Sequence, residues 1–149
     1  MTLDATLRAA ILQWAERGRL RVLNRIRDFY LSGRALNRRT GTAVRSVAST
    51  VNPDGKGFRV GTVLNYLIAW ENGIRAHQIV ATNVQALKFK VGGVTMFRKR
   101  VFMPAQAARP SFKPAMDDEE PFLRTSAEQA LQRVIVDHFP NRTIHIGRQ

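Results

Sequence analysis

The chain has 149 residues, 44% of them apolar, and a formal charge of +13 from 24 Lys and Arg against 11 Asp and Glu. A chain of this size and hydrophobicity buries a core without covalent staples, which excludes a disordered tail. It has no cysteine and only three scattered histidines, His77, His138 and His145, which excludes disulfides, thiolate zinc sites and cysteine nucleophiles and argues against a histidine metal centre.

No apolar run approaches the ~20 residues of a membrane span. The N-terminal MTLDATLRAAILQW carries Asp4 and lacks the basic-then-apolar layout of a secretion signal, so synthesis in the cytoplasm is expected. Residues 1–30 are expected to form the N-terminal helix, with periodicity over 3–30. Leu3, Leu7, Ile11 and Trp14, then Leu23, Ile26 and Tyr30, recur at steps of three and four. Gly18 interrupts this pattern and predicts a kink or a break. The opposite face carries Arg8, Arg17, Arg19, Arg21 and Arg25.

Ser32-Gly33 ends that element, and residues 40–116 are expected to hold short helices plus a sheet. Thr40 is placed to cap a short helix through its hydroxyl, with Val44 and Val47 on one face. From Ser49 to Val63, two runs rich in Val, Thr and Phe flank Pro-Asp-Gly-Lys-Gly, a hairpin signal. Residues 64–71 read as one or two helical turns ended by Asn72-Gly73, with Tyr66 and Trp70 as core anchors. AHQIV, ALKFKVGG and VTMFRKRVFM then read as strands. Lys88-Phe89-Lys90 alternates, and Gly92-Gly93 makes the turn to the next run. PAQAARPSFKPAM begins irregularly and enters a helix near Pro114.

Asp117, Asp118, Glu119 and Glu120 with Pro121 read as the first turn of the C-terminal helix, 117–139, where acids complement the helix dipole. Its apolar stripe runs through Phe122, Ala127, Ala130, Leu131, Val134, Ile135, His138 and Phe139, and Pro140 stops it. Residues 140–149 are an edge strand or a tail. With no internal repeat or linker, the order predicts one α+β domain over 1–149. Its small, mostly antiparallel sheet packs against the long N-terminal helix and the C-terminal helix.

The positive charge is uneven. Residues 1–50 balance to +7, residues 51–100 to +6, and residues 101–149 to zero. Such a field calls for phosphate or an acidic protein surface as a neighbour, without sequence specificity. Glu71 and His77 are the one pair that could suggest acid–base chemistry. No nucleophile motif, second carboxylate or phosphate-binding loop accompanies them, so no enzyme, cofactor or small-molecule substrate is expected. The acids at 117–120 lack the alternating spacing of a calcium loop. A standalone basic DNA-binding protein is the alternative: FRKR (97–100) and NRR (37–39) are basic clusters near aromatics. No helix-turn-helix, ribonucleoprotein or zinc-finger pattern is present. Phe89, Phe97 and Phe102 fall at strand spacings that suit a core, which disfavours base stacking.

Four segments, in this order, resemble one family. RRTGTAVRSV (38–47) is similar to its Arg-Thr-Gly before a short helix. RVGTVLNYLIAWENG (59–73) resembles its Val-Gly strand, Tyr-Ala and acid-X-Gly turn. AHQIVATNVQALKFKVGG (76–93) resembles its His-X-Ile, Ala-Leu-X-Phe and glycine turn, and ARPSFKPAM (108–116) its Arg-Pro and Phe-X-X-Pro-Ala before the last helix. The family is that of the tail-completion, or head–tail joining, proteins of tailed bacteriophages (minor-tail-protein-Z-like), and the likeness runs over about residues 1–138. Two departures stand out. Tyr66 is separated from Ala69 by Leu-Ile, and FMPAQ (102–106) replaces the family's frequent His-Pro-Gly.

The resemblance implies a non-enzymatic virion protein, assembled in the host cytoplasm into a homo-oligomeric ring, commonly of six copies. The ring would complete the tail tube at its head-proximal end and join it to neck and connector proteins beneath the portal, leaving a channel for genomic DNA. It implies Thr40, Gly41, Gly61, Tyr66, Trp70 and Gly73 as structural motif positions. Arg17, Arg21, Arg25, Lys99 and Arg100 are then candidates for the DNA channel or acidic partners, and Glu71, Arg109 and Phe112 for contacts with neighbouring subunits or the neck.

Overall fold

The computed structural model describes residues 2–36 and 40–140; the NRR cluster at 37–39 and the tail at 141–149 lie outside them. Helix α1 spans Leu3–Asn24, opened by Thr2, whose hydroxyl accepts from the Ala5 amide at 3.4 Å. It runs unbroken through Gly18, contrary to the expected kink. The glycine is required by space: a Cβ there would lie 2.7 Å from Phe58 Cε1 and 2.8 Å from Leu123 Cδ2. The irregularity comes later, as a π-helical turn at Arg25–Phe29 followed by a 3-10 turn at Tyr30–Ser32.

After a left-handed Gly41 (φ 75°), α2 is Thr42–Ser46. Gly41, rather than Thr40, occupies the cap position; the Thr40 hydroxyl accepts from the Thr42 amide at 3.4 Å. Val47 opens a strand rather than continuing the helix. Strands β1 (Val47–Val51) and β2 (Phe58–Thr62) form the expected antiparallel hairpin, in register from Val47 opposite Thr62 to Val51 opposite Phe58.

Helix α3, Asn65–Asn72, ends at Gly73 with φ 80°. Four strands follow: β3 (His77–Val80), β4 (Leu87–Val91), β5 (Val94–Arg98) and β6 (Arg100–Met103). VTMFRKRVFM is thus two strands, parted at Lys99. β4 pairs with β5 across the Gly92-Gly93 turn and β3 pairs with β6, both antiparallel, so strand pairing among the described residues falls into two-stranded ladders.

Helix α4 runs Phe112–His138, starting well before the acidic run. Pro114 sits in the first turn, where its missing amide costs nothing. Asp117–Glu120 therefore lie inside the helix, and so does Pro121, which denies the Asp117 carbonyl its intrahelical donor. Phe139 falls just outside, and of the expected stripe only Val134 is fully buried; Leu131 and Phe139 are over 40% exposed.

The α+β class is as expected, and the domain contains two compact units. The first takes the described part of Met1–Asn65 and Pro110–Gln149; the second is Tyr66–Arg109. In the first, α1 packs along α4 and the β1–β2 hairpin. Val22, Ile26, Leu31 and Val47 are fully buried, with Ala15, Ala115 and Val134 beside them. Trp14 joins the layers: its Nε1 donates to the Leu123 carbonyl at 2.9 Å and its ring meets Phe58 at 6.3 Å. In the second unit Leu67 is, among the described residues, the one fully buried apolar side chain. Tyr66, expected as an anchor, is 45% exposed.

Candidate functional site

Two of the five candidate channel residues are occupied within the first unit. Arg21 Nε donates to Glu119 Oε2 at 2.6 Å, and its guanidinium covers the Phe122 ring at 3.9 Å. Arg25 donates from Nη2 and Nε to Asp118 Oδ2 at 2.9 and 3.1 Å and covers Phe29 at 4.2 Å. Tyr30 donates its hydroxyl to the same oxygen at 2.7 Å. Arg25 and Tyr30 are five positions apart, and the π turn between them lets both reach one carboxylate: the Tyr30 amide donates to the Arg25 carbonyl. The Tyr30 hydroxyl first, then Arg25, hold the Asp118 carboxyl below its ordinary range. The same hydrogen bond, reinforced by burial, holds the Tyr30 phenol above its own. The acids at 118 and 119 are therefore interhelical partners rather than dipole complements.

Arg17 is exposed and lines a groove of about 230 Å³ between α1 and α4, with Trp14, Ala130 and Val134 as apolar lining and Arg133 and Asp137 beside it. Arg19 bridges Glu16 at 2.6 Å and Ser49 at 3.2 Å, and Arg27 donates to the Val47 carbonyl. Gly61 lies exposed on β2 opposite Ala48. Nothing lies within 4 Å of where a Cβ would stand and its φ is not positive, so no packing within the described chain demands glycine there. Phe112 is half-buried at the first position of α4.

In the second unit, Gly73 is required twice over. Its φ of 80° favours glycine, and a Cβ would stand 3.1 Å from both the Gln106 carbonyl oxygen and the Ala108 amide nitrogen. That close approach lets Ile74 and Gln106 exchange main-chain hydrogen bonds at 2.9 and 2.7 Å. It also lets the Arg109 amide donate to the Trp70 carbonyl at 2.7 Å, while the Arg109 guanidinium covers the half-buried Trp70 ring at 5.1 Å. Arg109 and Trp70 thus clamp the end of α3. Glu71 is half-buried on α3. His77 is exposed on β3, with Nδ1 2.9 Å from the Arg75 carbonyl oxygen. That nitrogen is engaged by its own main chain, and among the described residues no group of His, Cys, Asp and Glu is arranged to hold a metal ion.

The β4–β5 hairpin has two different faces, fixed by its register. Leu87, Phe89 and Val91 share one face with Met96 and Val94; Lys88 and Lys90 share the other with Phe97 and Thr95. Lys88 Nζ lies 6.0 Å from the Phe97 ring centre, and Phe97 is 57% exposed. Phe102 is 67% exposed, so these two phenylalanines line no core, contrary to what their spacing predicts. Lys99 and Arg100, both exposed, continue the basic run, with the Lys99 carbonyl held by the Ala81 amide at 2.9 Å. The alternation Lys88-Phe89-Lys90 is the sequence signal for this face; what it lacks is the identity of the strand opposite. No protein-family model, characterised protein or solved structure matches the chain.

Proposed function

We propose that the chain is a structural virion protein that completes a phage tail, assembling as a homo-oligomeric ring at the head-proximal end of the tail tube and joining it to the neck. The observation that carries this reading is the character of Tyr66–Arg109. It buries Leu67 fully while leaving Ile79, Val80, Val84, Val91, Val94 and Phe102 more than a third exposed. Isolated two-stranded ladders are marginal in water, and apolar surface on this scale marks a surface made to be covered. The four ordered motifs point to the family in which such covering is done by neighbouring subunits and tail and neck proteins. Glu71, Arg109 and Phe112 are kept as contact candidates, as is Arg17; Arg21 and Arg25 are given up to Glu119 and Asp118.

Native mass spectrometry and electron microscopy of the purified chain, alone and mixed with tail tubes, test this. The expected result is a closed ring seated on one end of the tube, with tails made without the chain unable to join heads until it is added. A chain that ignores tubes, or tails that join heads without it, overturns the reading.

A further inference from the structure

The second unit carries seven Lys or Arg (Arg75, Lys88, Lys90, Arg98, Lys99, Arg100 and Arg109) against the single acid Glu71, a balance of +6. A second copy of this chain does not neutralise it. The acids of α4 at 117–120 are already paired with Lys113, Arg25, Arg21 and Arg124, and each copy adds +13. The charge of this surface therefore calls for a different, anionic partner.

The two faces of the β4–β5 hairpin narrow the choice. On one face, Lys88 and Lys90 stand a two-residue step apart, about 6.8 Å along an antiparallel strand. Opposite them are an exposed Phe97 and the Thr95 hydroxyl, and the hairpin contains no carboxylate at all. A protein surface offers charges of both signs. A nucleic-acid strand offers a uniform row of phosphates, to which Lys and Thr donate, and base faces, for which an aromatic ring is the ordinary platform. Phe97 is the deciding residue: it has no role against a purely acidic surface, and at 57% exposure it is not held back by a core.

We propose that the β4–β5 hairpin and its continuation through Lys99 into β6 form a nucleic-acid-binding ribbon. Lys88, Lys90, Lys99 and Arg100 hold phosphates, Thr95 adds a hydroxyl donor, and Phe97 stacks an unpaired base. The ribbon uses the basic face; the apolar face of the same hairpin, with Phe89 and Val91, is left for protein partners. Such a ribbon needs only its own charge and register, and it works whether or not a ring forms.

Fluorescence anisotropy of the full chain with a labelled oligothymidylate, over a range of salt, tests it. Binding should weaken linearly in log affinity against log salt. Lys88→Gln with Lys90→Gln should lower affinity at least tenfold in about 50 mM salt and reduce the slope by roughly 0.7 for each phosphate no longer neutralised. Phe97→Ala should lower affinity roughly 5- to 150-fold with the slope unchanged, and Phe97→Tyr should restore it. These side chains are exposed, so far-UV circular dichroism should be unaltered. Three outcomes overturn the proposal: equal weakening by Arg8→Gln with Arg17→Gln, which would make it net charge only; no effect of Phe97→Ala; or competition by polyglutamate as effective as by the oligonucleotide, which would make the partner an acidic protein.

Discussion

Arg21 and Glu119 form the ion pair that ties α1 to α4, with Nε 2.6 Å from Oε2. The two partners are unequal: the glutamate side chain is 11% exposed, the arginine side chain 49%. Removing the arginine strands a nearly buried carboxylate, whereas neutralising the glutamate leaves an arginine that water can reach. Arg21→Ala should lower the unfolding free energy by about 1–3 kcal/mol, including the packing on Phe122 that goes with it. Glu119→Gln should cost less. Urea denaturation of both variants checks the order, which reverses if the arginine is the partner that depends on the pair.

Asp118, held by Tyr30 and Arg25, gives the fold a dependence on acid. Its carboxyl is depressed in the folded state, so its contribution is present above the ordinary carboxylate range and is lost as pH falls through the depressed value. Tyr30 is raised, so its contribution is present below about pH 10, the ordinary tyrosine value, and is lost as pH rises through the raised one. Asp118→Asn should flatten both limbs of a plot of urea midpoint against pH. Tyr30→Phe should remove the alkaline limb and weaken the acid one.

Gly18→Ala separates helix propensity from packing. In an open helix alanine gains about 1 kcal/mol over glycine. Here the new methyl meets the Phe58 ring, which packs on Trp14, and the Leu123 side chain. The expected outcome is a net loss of roughly 1–2 kcal/mol, read as a lower melting temperature. Gly61→Ala, with open space around it, serves as the comparison and should be neutral or mildly stabilising.

Gly73→Ala should act locally. The substitution forces a left-handed residue against the backbone at Gln106 and Ala108, so the amides of Ile74, Gln106 and Arg109 should lose protection in hydrogen exchange. The amides of α1 and α4 should keep theirs. Uniform loss across the chain would mean the two units open together.

The helices and hairpins are legible in the sequence because their signals are local. Steps of three and four mark α1, Asn72-Gly73 ends α3, and Gly92-Gly93 closes the β4–β5 turn. Partner choice is not legible. Asp118 and Glu119 satisfy a helix dipole and an interhelical arginine equally well on paper, and only the start of α4 at Phe112 decides between them. Tyr66 and Leu67 are adjacent on a short helix, and composition alone does not say which one turns inward. Arg21 and Arg25 pass for free cations in the sequence because an arginine-rich face looks the same whether water or a second helix lies opposite. Phe97 passes for a core residue because strand spacing tells which residues share a face and not whether anything covers it.

The π turn at Arg25–Phe29 has a consequence for how this chain tolerates change in length. It holds one residue more than a regular helical path needs. Deleting a single residue within it would restore ordinary winding and rotate everything beyond it by about 100° around the axis, carrying the Tyr30 hydroxyl off Asp118. A gap of one at this point therefore exchanges a smoother helix for a broken lock, and coding changes there are expected to come as substitutions rather than as deletions.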